Sequence, residues 1–235
     1  MTFLIGTRGS KLSLAQTNWV ISELQKENKD SEFEIKTITT KGDTDSRALF
    51  TIDQKGIFEK EIDKAVAEKE VDFAVHSLKD VPSDISESLT IACIPRRESA
   101  NDVLITKEGY NLKTIPSGAV IGTSSLRRAV QVSRIRHDVV VKPVRGNIET
   151  RINKVTDGKF DAIILAEAGI SRLGLDVKHS VLSTKDFPPS PGQGALAIVC
   201  RADDEKTISM LKKIEDPKSR TEIEAERALS EYVES

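Results

Sequence analysis

The sequence predicts an α/β fold, and three observations carry that expectation. Short β-rich runs alternate with segments of helical period along the chain. Rigid proline-containing corners punctuate the alternation at Pro95-Arg96-Arg97 and at Phe187–Gly192. A strand, turn and helix signature near the N-terminus also recurs at about residue 121.

Taken in order, Phe3–Gly6 reads as a strand, and Leu12, Ala15, Trp19 and Leu24 then form a helical stripe. Phe33, Ile35 and Thr37 alternate as the next strand. Ile57, Phe58, Ile62, Ala65 and Val66 make a second helical face, and Phe73–His76 and Thr90–Ile94 read as further strands. The arginine corner then suggests a domain boundary near residues 96–101. Beyond it come strand Val120–Gly122, helix Ser125–Arg136, strand Val139–Val144, helix Ile148–Thr156 and strand Ala162–Leu165.

Ile5-Gly-Thr-Arg-Gly-Ser-Lys-Leu12 and Ile121-Gly-Thr-Ser-Ser-Leu-Arg-Arg128 share a strand end, a Gly-Thr pair and a small, basic turn. Two readings stay open: a chance recurrence in an α/β protein, or two lobes of like topology. After the connector Phe187–Gly192, the apolar run Ala195–Cys200 reads as a strand returning to the first lobe. The tail opens with Ser219 or Thr221 as cap and places Ile223, Ala225, Ala228, Leu229, Tyr232 and Val233 at helical spacing. It either closes an existing lobe or begins a further domain.

The 235 residues suit one large or two modest domains. A spanning helix needs about 20 apolar residues, far more than the longest apolar run provides. Thirty-five basic residues nearly balance 37 acidic ones, and 38% of residues are hydrophobic, which argues against disorder. Cys93 and Cys200 sit in apolar stretches and imply no disulfide framework. The N-terminus lacks the basic and apolar segments of a secretory signal, so a cytoplasmic protein is expected.

Charge is balanced globally but not locally. Residues 120–155 hold eight basic residues against Asp138 and Glu149. Arg134 and Arg136 suit a solvated face. Arg127 and Arg128 fall in a first helical turn, where the dipole disfavours cations, and so call for an anion. With Thr123, Ser124, Ser125 and free backbone N–H groups they would make a carboxylate or phosphate cradle. Arg8 with Ser10, and Arg145 in Val144-Arg-Gly-Asn147, repeat the pattern. Converging arginines suggest a small polyanionic ligand. Nucleic acid is disfavoured by 4% aromatic residues, a net charge of −2 and the lack of a recognised motif. Lys79-Asp80 lies just past a strand's C-terminal end, where open α/β sheets bind ligands, although a turn role for Asp80 stays open. His76 carries the same ambiguity. The three histidines and two cysteines show no metal-ligand spacing, so no metal is expected. Gln193 in Pro191-Gly-Gln-Gly194 is either a loop residue or a ligand contact.

These segments, together with Lys55-Gly-Ile-Phe58, Asp72–Pro82, Val144–Arg151, Asp161–Ala166, Ala168–Gly174, Gly192–Ala195 and Ala225-Glu-Arg227, resemble the porphobilinogen deaminase (hydroxymethylbilane synthase) family, in family order across nearly the whole chain. The resemblance implies two type II periplasmic-binding-protein-like lobes with mixed sheets: residues 1–97 with 193–216, and residues 98–192. Residues 217–235 would be the first helix of a third domain. The implied active site lies between the lobes, and the implied cofactor is a covalently held dipyrromethane. Four porphobilinogens are deaminated and joined head to tail, and a linear tetrapyrrole is hydrolysed from the product. By resemblance, Asp80 is the catalytic acid that helps expel ammonia and stabilises positive charge on the substrate. Arg8, Ser10, Arg145, Arg151 and Arg172 are the substrate carboxylate ligands. Lys55, Ser77, Lys79, Thr123, Ser124, Ser125, Arg127, Arg128, Gln193 and Gly194 are the cofactor contacts.

Two departures qualify the match. Thr51 stands where many relatives carry a second lysine, and neither Cys93 nor Cys200 matches the cofactor-bearing cysteine, whose loop would fall past Ser235. The expectation is therefore a monomeric deaminase of tetrapyrrole biosynthesis with a small pyrrole substrate, its third domain either truncated or supplied by a separate chain. The alternatives are an oligopyrrole- or anion-binding module that cannot complete the reaction, and a receptor for a small anion.

Overall fold

The structure, a computed structural model, describes residues 1–40, 59–82 and 84–234. Of these, the residues before Ser99 and after Ser190 form one compact unit, and Ser99–Ser190 form the other. In chain order the first unit contributes β1 (Thr2–Thr7), α1 (Lys11–Glu27), β2 (Glu32–Thr37), α2 (Lys60–Ala67), β3 (Phe73–Ser77) and β4 (Leu89–Cys93). The second holds β5 (Asp102–Thr106), β6 (Val120–Gly122), α3 (Leu126–Ile135), β7 (Val140–Lys142), α4 (Ile148–Thr156), β8 (Ala162–Ala166), α5 (Glu167–Arg172) and β9 (Ser180–Leu182). The chain then returns to the first unit with β10 (Leu196–Arg201), α6 (Glu205–Leu211) and α7 (Pro217–Glu234).

The first sheet has the order β2-β1-β3-β10-β4 and the second β7-β6-β8-β5-β9. In each, three strands run parallel and the fourth is antiparallel to its neighbours. The recurring strand and turn signature thus marks two sheets of like topology: β1 and β6 occupy equivalent places and each leads into a serine-capped helix. Apolar side chains pack on both faces of each sheet. Phe3, Ile5, Phe73, Ile198 and Leu24 lie on one side of the first sheet, and Ala74, Val199, Ile62 and Val66 on the other. Leu104, Ile121 and Ile164 face Val132 in the second, with Val103, Ile163 and Val155 opposite. Parallel strands covered on both faces explain why these runs read as continuously apolar.

Several expectations shift. The buried face of α1 is Gln16, Thr17, Val20 and Leu24, with Trp19 only partly buried. Thr17 can sit inside because its hydroxyl reaches Thr7 Oγ1 and the Ser13 carbonyl, both at 2.9 Å. The strand expected over Val139–Val144 is confined to Val140–Lys142. β5, α5, β9 and α6 were not anticipated from periodicity. The cap of α7 is Asp216, whose carboxylate accepts from the Ser219 N–H at 2.9 Å with Pro217 as the first helical residue, rather than Ser219 or Thr221. Along α7 Ile223 is fully buried, whereas Leu229, Tyr232 and Val233 are exposed.

Candidate active site

In the first unit the candidate residues collect at one edge of the sheet. β1 and β3 are parallel and end there at Thr7 and Ser77, and β10, antiparallel to β3, begins there with Leu196 opposite Ser77. Arg8 follows β1 directly, and Ser10 caps α1, its Oγ accepting from the Ser13 N–H at 3.2 Å. Ser77 Oγ accepts from Gln16 Nε2 at 2.9 Å, so the buried Gln16, missed in the sequence, fixes the end of β3. His76 belongs to the structure rather than the site: its Nε2 lies 3.0 Å from Asp63 on α2.

Lys79 and Asp80 complete a 3-10 turn, Leu78–Asp80, and both are exposed while Leu78 is buried. That turn is held from several directions. The Leu78 N–H donates to the Ala195 carbonyl at 3.0 Å, and Arg227 on α7 donates to the carbonyls of Val81 at 3.3 Å and Pro82 at 2.8 Å. The segment Gly192–Ala195 is itself tied down. Arg97 Nε donates to the Gln193 carbonyl at 3.0 Å, and the Gly192 N–H donates to Glu226 at 2.8 Å. Gln193 is buried and its backbone carbonyl accepts from Arg97, as the loop reading expects. Lys55 lies outside the described residues.

The second unit gathers its candidates in the same way. β6, β7 and β8 are parallel, and Asp102, the first residue of β5, stands opposite Ala166, the last residue of β8. The three hydroxyls of the turn build it. The Ser125 N–H donates to Thr123 Oγ1 at 3.2 Å, and Ser125 Oγ caps α3 by accepting from the Arg128 N–H at 3.4 Å. Ser124 Oγ donates to the Val144 carbonyl at 2.7 Å and accepts from its N–H at 3.1 Å, which joins this turn to the segment carrying Arg145.

The anion that Arg127 and Arg128 require at the start of α3 is present within the fold. Asp102, fully buried, accepts from Arg128 Nε at 3.0 Å and Nη2 at 2.6 Å and from Arg127 Nη2 at 2.7 Å. Burial alone would raise its pKa, but the two guanidinium groups, Arg128 first, outweigh that and hold the carboxyl below its ordinary value. Arg128 also donates to the Ile164 carbonyl at 3.2 Å, and Arg127 to that of Pro188 at 2.6 Å.

Arg151 on α4 donates to the Gly146 carbonyl at 2.7 Å. Burial lowers its pKa most, and the positive charges of Arg128 and Arg145 lower it further. Arg172 closes α5, which begins directly at the end of β8. This edge therefore concentrates positive charge in partly desolvated surroundings, where carboxylates bind more strongly than in water. Such a donor set fits the acetate and propionate groups of a dipyrromethane.

A covalent attachment point is not apparent in the same residues. Cys93 and Cys200 are free and fully buried in β4 and β10. Among the described residues no group of three His, Cys, Asp or Glu side chains could hold a metal ion, and no helix is long and apolar enough to cross a membrane.

Comparison with known proteins bears on this arrangement. Residues 3–209 match the family model "Porphobilinogen deaminase, dipyromethane cofactor binding domain". The chain is 72% identical over all 235 residues to a protein of Nitrosopumilus maritimus named "Probable porphobilinogen deaminase", and covers 76% of it. It is 46% identical over 226 residues to the porphobilinogen deaminase of Brevibacillus brevis, covering 95% of this chain and 73% of that one. Among solved structures, the BenM effector-binding domain with benzoate has a TM-score of 0.53 at 14% identity, covering 91% of this chain and 89% of that one. An OxyR2 regulatory domain from Vibrio vulnificus also scores 0.53, at 10% identity, with coverage of 91% and 95%. At such identities the likeness concerns the fold alone, which is of the type II periplasmic-binding-protein kind. By its sequence over nearly its whole length, the chain belongs to the porphobilinogen deaminase family.

Proposed function

We propose that the chain acts as a hydroxymethylbilane synthase, joining four porphobilinogens head to tail with release of ammonia in tetrapyrrole biosynthesis. The match across the full chain carries this reading. When bound, a dipyrromethane supplies the pyrrole chain that is extended. Asp80 is the catalytic acid: an exposed carboxyl group on a braced turn gives its proton to the departing amine, and the carboxylate left behind faces the positive charge that develops on the substrate. Arg8, Ser10, Arg145, Arg151 and Arg172 bind substrate carboxylates. Lys55, Ser77, Lys79, Thr123, Ser124, Ser125, Arg127, Arg128, Gln193 and Gly194 hold the cofactor, with Ser124 and Arg128 acting chiefly through the groups they position.

The accompanying domain reading keeps residues 217–235 as the start of a third domain; the exposure of Leu229, Tyr232 and Val233 supports this, although the part of α7 around the buried Ile223 packs within the first unit. It also places a monomer in the cytoplasm. Incubation with porphobilinogen tests the activity by released ammonia and by uroporphyrin formed on oxidation. Asp80→Asn should lower turnover by about 100-fold or more at unchanged thermal stability. Equal turnover by the variant would remove Asp80 from the chemistry, and no turnover by the unaltered protein would count against the reading as a whole.

A further inference from the structure

Asp102 has no part in the roles assigned above, yet it is the buried carboxylate on which two of the proposed cofactor ligands converge. Its two oxygens are divided between them. Oδ1 takes both Nε and Nη2 of Arg128, and Oδ2 takes Nη2 of Arg127. Each arginine is also fixed to a backbone carbonyl, Arg128 to Ile164 and Arg127 to Pro188. Gln131 Nε2 donates to the same Pro188 carbonyl at 3.0 Å, so the Arg127 contact has a second brace. An arginine side chain has several flexible torsions, and ordering it in advance removes an entropic cost from ligand binding. The two are not held alike: the side chain of Arg128 is 10% exposed and that of Arg127 is 25% exposed.

We infer that Asp102 is a positioning residue, aiming the Arg127 guanidinium at a ligand carboxylate by clamping Arg128 and Arg127 on one buried anion. The inference rests on the function proposed above, in which each porphobilinogen joined to the cofactor becomes part of the pyrrole chain that Arg127 and Arg128 hold. It separates from two simpler roles. If Asp102 only balanced charge, its removal would leave this edge more positive and tighten anion binding. If Asp102 only stabilised the fold, removal would lower the melting temperature and leave the folded enzyme's KM unchanged.

The test is Asp102→Asn in the full chain, read by KM and kcat for porphobilinogen beside the melting temperature. The expected result is a KM raised about 10-fold or more despite the added positive charge. Asp102→Glu, which keeps the charge but moves the carboxylate, is expected to raise KM as well. An unchanged or lowered KM in a folded Asn variant overturns the inference. Should neither variant fold, arginine side-chain NMR of the unmodified protein decides. Arg128 Nε–H is expected to exchange slowly with and without porphobilinogen, while Arg127 shifts on addition. A freely exchanging Arg128, or an Arg127 insensitive to porphobilinogen, overturns the inference. Ammonia release by the unmodified protein distinguishes the two levels: its absence counts against the proposed function, whereas turnover with an unaltered Asn variant counts against Asp102 alone.

Discussion

Gly192 lies against Leu78 so closely that a Cβ on the glycine would stand 2.4 Å from Leu78 Cδ2 and 3.1 Å from the Lys79 backbone nitrogen. The glycine also has φ +72°, a conformation that other residues adopt only with strain. The segment returning to the first unit is therefore pressed onto the turn that carries Asp80.

Gly192→Ala combines that strain with an overlap against a buried leucine, and should cost about 2–4 kcal/mol. If the turn moves to relieve the overlap, kcat for porphobilinogen falls more than stability alone accounts for. Denaturant melts beside steady-state rates separate the two effects. A variant with native stability and rate would show that the contact does not position the turn.

Arg97 and Glu226 form the second brace of this region. Arg97 Nη1 and Nη2 donate to the two Glu226 carboxylate oxygens at 2.6 and 3.0 Å, and the Arg97 side chain is 9% exposed. Glu226→Gln removes the charge and leaves a largely buried guanidinium without its fork partner, at about 2–3 kcal/mol. Arg97→Ala in the same background should then add much less than it does alone, because the two residues act as one unit. Additive losses in urea titrations would contradict the coupling.

Much of this architecture was legible in advance, and the exceptions have physical causes. Helix Ile148–Thr156 and the return strand after Gly194 follow directly from periodicity and turn chemistry. β5 did not, because Asp102–Thr106 opens on a charged residue and offers only four further residues of pattern. Asp102 becomes a strand residue only by pairing with Ala166, 64 positions away, and by meeting two arginines from another element. Local sequence does not encode that meeting. Gln16 and Thr17 were likewise hidden, since their burial depends on Ser77 and Thr7 supplying hydrogen bonds. Lys55 and the helical positions Ile57 and Phe58 fall outside the described residues.

The buried carboxylate also sets an acid limit. Asp102 is held below its ordinary pKa in the folded state, so its contribution to stability is complete above the unfolded value of about 3.9 and is lost as pH falls through the folded value. Asp204, held down by the Thr207 N–H, the Thr207 side chain and Arg201 against the opposing effect of burial, acts in the same direction. Unfolding free energy should therefore drop steadily below about pH 4. Asp102→Asn should flatten that drop even if it lowers stability at pH 7. An identical acid slope in the variant would show that Asp102 titrates alike in both states.

The thiols give the last prediction. Burial raises the pKa of Cys93 far above its ordinary range, with the neighbouring Glu215 adding to the effect. Burial and Asp204 push Cys200 up to about 12, against a smaller opposing effect of Arg201. Since the thiolate is the nucleophile, both should be inert at neutral pH while the fold is intact. Native protein mixed with a thiol-specific disulfide reagent should release almost no chromophore, and two equivalents should appear in denaturant. Peptide mapping of native material should find the Cys93 and Cys200 peptides without a pyrrole adduct. Rapid labelling of either residue, or an adduct on its peptide, would mean that a buried strand opens far enough to carry the cofactor, and the assignment of both cysteines to the core would have to be given up.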